Sequence, residues 1–112
     1  ARRPLYILKG NGIEMIRGDR KTIGGRFNTE LEFTKKEVLL NRGDRIYLTT
    51  DGITDQNSPE RDKFGINRLT DVLSRTREFS LDKQKQILEE ELLRFMKYEK
   101  QRDDITVLGI EL

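Results

Sequence analysis

Two acidic spots in this sequence have the residue types and placement to do chemistry. Asp51-Gly52 closes the apolar, β-branched run Ile46-Tyr47-Leu48-Thr49-Thr50, and Asp103-Asp104 opens the run Ile105–Leu112. Carboxylates gathered on one rim repel each other unless something positive compensates them. Mg²⁺ and similar hard divalent ions do so, because they prefer carboxylate oxygen and retained water. Gly52 would let the backbone turn sharply beside such an ion. The plainer reading stands beside this one. An Asp-Gly after a strand is commonly just a turn, and an Asp pair before a strand is commonly solvated punctuation. The sequence contains no histidine and no cysteine. Ser-His-Asp hydrolysis, a thiol nucleophile, disulfides and the usual zinc sites are therefore excluded. Carboxylates, Lys/Arg, hydroxyls and a bound metal remain.

The elements that must position these residues are legible in outline. Ile46–Thr50 is a strand by composition. Apolar residues occupy both alternating sets of Ile105–Leu112, as in a strand interior to a layered sheet. If the two strands are antiparallel neighbours, Asp51 and the Asp103-Asp104 pair share one rim. Between them the pattern predicts a polar loop over 54–63 and a helix after Phe64-Gly65 carrying Leu69, Val72 and Leu73. A second helix follows over about 81–98, with Ser80 placed to cap it. Leu88, Leu92, Phe95 and Met96 form the one apolar stripe of that helix and are expected to face the sheet, with Glu90 and Arg94 paired on its outer side. Upstream, Pro4–Lys9 and Ile13–Ile16 read as a hairpin around Gly10-Asn11-Gly12, because Asn and Gly tolerate positive φ. Residues 18–28 read as a loop. Leu31–Thr34 and Val38–Leu40 read as short extended pieces, and Asn41–Asp44 as a turn.

Of the 112 residues, 34% are apolar and 38% charged. That is a thin core and a high charge fraction for one domain, as expected of a piece of a larger domain or of a thermophilic source. Net charge is +2, with acidic and basic residues interleaved. A nucleic-acid partner calls for a one-sided basic stripe, and none is visible. No segment approaches the ~20 apolar residues of a membrane span, and no signal peptide is visible, so a cytoplasmic location without membrane contact is expected.

The motifs also resemble a known family. Gly43-Asp44-Arg45-Ile46-Tyr47-Leu48-Thr49-Thr50-Asp51-Gly52 is similar to the Gly-Asp…Asp-Gly segment of the SpoIIE-like (RsbU-like) phosphatases, the bacterial branch of the PPM metal-dependent serine/threonine protein phosphatases. Phe64-Gly65 followed by Arg68-Leu69, and Asp103-Asp104-Ile105-Thr106-Val107, resemble that family's next two motifs. Ala1–Leu8 resembles its Ala-x-x-Pro-Leu-Tyr strand, and Ile23-Gly24 its Ile/Leu-Gly turn. The order and spacing agree over the whole chain.

The resemblance implies an α+β fold: the C-terminal part of a PPM-type β-sandwich with flanking helices, antiparallel strands, and two consecutive helices before the last strand. It implies that Asp51 and Asp103 are metal ligands, that Asp104 is a supporting acceptor or the ligand in place of Asp103, and that two Mn²⁺ or Mg²⁺ ions activate a water. No protein residue then acts as nucleophile. The implied substrate is a phosphoserine or phosphothreonine protein of the anti-sigma antagonist type, with a sensor domain upstream. One departure stands out. The family's upstream half carries another Asp-Gly motif, whose Asp bridges the metals, and no such motif precedes residue 51 here. Residues 1–112 thus read as the C-terminal portion of the catalytic domain, incomplete as a catalyst by itself. The rival from another class is a non-catalytic interaction module with open strand edges.

Overall fold

The structure, a computed structural model, describes residues 4–16 and 39–112. The readings made over residues 1–3 and 17–38 lie outside the described residues. Alternating apolar residues build β1 (Leu5–Lys9) and β2 (Gly12–Ile16), and the run after Asp44 builds β3 (Arg45–Thr49). Then come α1 (Asp51–Asp55), α2 (Gly65–Arg75), α3 (Leu81–Met96) and β4 (Val107–Glu111). The four strands form one antiparallel sheet in the order β2-β1-β3-β4. The fold is α+β, and β3 and β4 are antiparallel neighbours, as the paired rim acids required.

Strand alternation sends Tyr6, Leu8, Tyr47, Val107 and Gly109 to the same face, as the cross-strand register shows. Tyr6, Leu8 and Tyr47 pack with Ile53, Phe64, Leu69, Val72, Leu73, Leu88, Leu92 and Met96 to make the core. On α3 the buried residues are Gln84, Leu88, Leu92 and Met96, a strict four-residue repeat. Phe95 is a correction to the sequence reading. It is only half-buried and turns toward α2, where its ring meets that of Phe64 edge-on at 5.4 Å and lies 4.5 Å below the Arg68 guanidinium carbon. Ser80 does cap α3, accepting from Lys83 N at 3.2 Å. The helix stops at Met96, and Arg94 pairs with Glu91 rather than Glu90.

The β1–β2 loop is Gly10-Asn11, and Gly12 of the expected Asn-Gly pair takes a positive φ, +147°. Two further expectations change. The segment read as a loop from Thr54 onward includes the end of α1. Finally, among the described strands β4 lies at an edge, and its Leu108 and Ile110, on the face away from the described helices, are 52% and 45% exposed.

A buried polar cluster ties sheet to helices. The Gln84 amide donates to Leu73 O (3.0 Å) and Thr76 Oγ1 (2.9 Å), while its Oε1 accepts from Tyr47 Oη (2.5 Å) and Arg45 Nη1 (3.2 Å). Arg45 also donates to Phe79 O and to Glu111. Burial pushes the Tyr47 phenol above its ordinary pKa, against the pull of its hydrogen bonds to Arg45 and Gln84.

Candidate metal centre

The rim forms where β3 ends and β4 begins. Thr50 N donates to Thr106 O at 3.0 Å, which extends the ladder one step beyond the strand. The Thr50 hydroxyl then does double service: it donates to Asp104 O (3.1 Å) and accepts from Thr106 N (3.0 Å). Asp51 follows immediately as the first residue of α1. In the sequence Thr50 reads only as the last residue of the Ile46–Thr50 strand. A hydroxyl that closes a ladder has no pattern in one dimension, and only the strand pairing reveals it.

Gly52 is buried, and its φ is not in the left-handed region. The position needs space rather than a sharp turn. A Cβ built there would overlap the carbonyl oxygen of Asp104 and stand 2.9 Å from its carbonyl carbon. The backbone carrying Asp51 thus lies against the backbone of Asp104. Asp51, Asp103 and Asp104 are all exposed. Asp103 Oδ1 accepts from Asp104 N at 2.7 Å, and Gln101 Nε2 donates to Asp103 O at 2.8 Å.

A cleft of about 460 Å³ opens beside Asp51, lined by Pro4, Tyr6, Asp51, Thr54, Asp55, Lys63, Gly65 and Ile66. Lys63 Nζ reaches Asp55 Oδ1 at 3.7 Å across this cleft, a loose and exposed pair. Among the described residues, no ion pair engages Asp51, Asp103 or Asp104. The carboxylates of Asp51, Asp103 and Asp104 offer only oxygen, the donor a hard divalent ion takes. The set is partial. Among the described residues no three acidic side chains gather closely enough to hold an ion by themselves, so further donors are needed.

This rim lies in a chain whose residues 3–112 match the family of stage II sporulation protein E, SpoIIE. The chain belongs to the SpoIIE family. It is 30% identical over 109 residues to Protein IcfG of Synechocystis sp., covering 96% of this chain and 17% of that protein. Its fold matches the SiaA-PP2C domain of Pseudomonas aeruginosa with a TM-score of 0.84 and 30% identity, over 98% of this chain and 43% of that one. The phosphatase domain of the cell fate determinant SpoIIE from Bacillus subtilis shares the fold at a TM-score of 0.59 and 18% identity, over 97% of this chain and 46% of that one. The chain therefore spans less than half the length of each of these relatives.

Proposed function

We propose that the chain is the C-terminal portion of a metal-dependent protein serine/threonine phosphatase domain, with Asp51 and Asp103 as metal ligands and Asp104 as a supporting acceptor. The observation that carries this reading is the junction at the rim. Thr50 and Gly52 press the backbone of Asp51 against that of Asp104, so the two acidic motifs present their carboxylates from adjoining loops. Two divalent ions, Mn²⁺ or Mg²⁺, would supply Lewis-acid activation of water and charge screening at the phosphoryl group. The chain's own residues do the holding. Thr50 fixes the spacing of the two loops, Gly52 lets them touch, and the cleft beside Asp51 offers room for a phosphorylated side chain with Lys63 at its wall. A bridging carboxylate from another segment of the catalytic domain would complete the donor set.

By likeness to the family, the substrate is a phosphoserine protein of the anti-sigma antagonist type in bacterial signalling. A sensor domain upstream and a cytoplasmic location belong to the same reading. A second reading, a non-catalytic interaction module, is favoured by one observation: the apolar face of the sheet turned away from the helices is open at Leu48, Leu108 and Ile110.

The experiment is turnover of a phosphoserine protein by the complete catalytic domain, measured against Mn²⁺ and Mg²⁺ concentration. Asp51→Asn and Asp103→Asn are each expected to lower turnover by more than about 100-fold, beyond what a change one layer out from the ion produces. Both are exposed, so the melting temperature should hold within about 3 °C. Asp104→Asn should be milder. Wild-type activity in both of the first two variants would sink the site assignment. A complete domain inactive with every divalent ion would leave the interaction module standing.

A further inference from the structure

The loop that carries Asp103 is pinned on both sides by the unit that carries Asp51. On the downstream side the pins are Thr50 and Gly52, acting on residues 104–106. On the upstream side the pin is Gln56, the residue that ends α1, whose side chain is completely buried. A carboxamide has two N–H donors and an acceptor oxygen. Gln56 uses both ends: Nε2 donates to Asn57 O (3.1 Å) and Lys100 O (3.0 Å), and Oε1 accepts from Arg102 N (3.1 Å). Its amide therefore grips the backbone at residues 100 and 102, as a strand neighbour would. Its own carbonyl takes Phe64 N at 2.8 Å and anchors the start of α2. Arg102 adds a second tie, donating from Nε to Asn57 Oδ1 at 2.8 Å. Between the last upstream pin at Arg102 and the first downstream pin at Asp104 lies one residue, Asp103.

We infer that Gln56 is a positioning residue for the metal-binding rim: it fixes residues 100–102, and through them the place of Asp103 relative to Asp51. The inference rests on the phosphatase reading above and deepens it. The chemistry explains why glutamine stands there. Asparagine is one methylene short of the 100–102 backbone. Methionine fills the space but leaves Lys100 O and Arg102 N without their partner. Glutamate keeps the acceptor for Arg102 N and loses both donors. A buried glutamine could instead serve the fold alone, and Gln84 supplies the matched control. It too is buried and bonded through both ends of its amide, but to Leu73, Thr76, Tyr47 and Arg45, none of them in the Asp51 or Asp103 loops.

The test is Mn²⁺ affinity, read by the electron paramagnetic resonance signal of free Mn²⁺ during titration of the complete catalytic domain, alongside melting temperature and turnover. Gln56→Met is expected to weaken Mn²⁺ binding by about 10–100-fold, the range for residues that orient a ligand, with turnover recovering as Mn²⁺ is raised. Gln56→Asn, which keeps a neutral amide but is one methylene short, should fall between Met and wild type. Gln84→Met should lower the melting temperature and leave Mn²⁺ affinity unchanged. Should Gln56→Met not fold, the neutral but shorter Gln56→Asn decides alone: weakened binding supports the inference and wild-type binding overturns it. Equal losses in the Gln56 and Gln84 variants overturn it too, since stability would then account for both. If Asp51→Asn and Asp103→Asn lose Mn²⁺ while the Gln56 variants keep it, only the positioning role falls. If the two Asp variants bind Mn²⁺ like wild type, the phosphatase reading falls, and the inference with it.

Discussion

One methyl group separates glycine from alanine, and position 52 has no room for it. The atoms it would meet are the carbonyl carbon and oxygen of Asp104, which are backbone and cannot rotate aside. Gly52→Ala must therefore push α1 and the Asp103-Asp104 loop apart, and the Thr50 hydroxyl loses its fit to Asp104 O and Thr106 N. Overpacking of this kind costs about 1–3 kcal/mol. The complete domain should lose that much stability in a denaturant titration, together with a larger loss of Mn²⁺-dependent turnover, because the displaced atoms sit between the two candidate ligands. Unchanged stability would mean that the two loops are not in contact. At this scale the sequence reveals chemistry better than support. Asp51, Asp103 and Asp104 stand out because acids beside strands are conspicuous. Thr50 and Gln56 do not, because a polar residue whose bonds are satisfied inside the fold looks like any surface residue until its partners are known, and their partners in the Asp103 loop lie 44 to 56 positions away along the chain.

Among the elements, α3 shows how a one-dimensional stripe divides in three dimensions. Leu88, Leu92 and Met96 repeat every four residues and are buried, whereas Phe95 falls on the flank beside α2. The groove between α2 and α3 is where its ring makes its contacts, with Phe64 below and the Arg68 guanidinium above. The two positions should respond differently to truncation. Leu88→Ala is expected to cost about 2–5 kcal/mol, and Phe95→Ala only about 1.5–2.5 kcal/mol, since full losses of 3–5 belong to fully buried rings. Denaturant unfolding of both variants of the complete domain checks the order. A larger loss at Phe95 would show that its ring is covered by a further part of the protein. The helical period was enough to place α3, and the Phe64-Gly65 pair to place α2, because each is a local signal. Division of the stripe between sheet and neighbouring helix is set by the packing of α2 against α3, which no local pattern encodes. The hairpin is a local signal too: Gly10-Asn11-Gly12 marks the turn, and Gly12 takes the positive φ.

At the scale of the whole molecule, the sheet has two faces and the described helices cover one. On the other, Ile7 is buried beside Ile46, but toward β4, where Leu48 lies beside Leu108 and Ile46 beside Ile110, the face is open: Leu48, Leu108 and Ile110 are 40%, 52% and 45% exposed. A contiguous apolar patch of this kind marks a surface that another layer or partner covers. Among the described strands β4 lies at an edge of the sheet, where backbone groups can pair with another chain. The rim has a matching shortfall, since no three acidic side chains among the described residues gather to hold an ion. A single further layer of the same catalytic domain, packed on this face and bringing a bridging carboxylate to the rim, would answer both needs. The 112-residue chain alone is therefore expected to self-associate in light scattering and to show no Mn²⁺-dependent turnover, while the complete domain is monodisperse and active. The two outcomes are separable. A monomeric, stable chain would show that the open face is tolerated without a second layer. Turnover by the chain alone would show that Asp51 and Asp103 hold the ions without a bridging partner, against the reluctance of Mg²⁺ to exchange its waters for so few placed ligands.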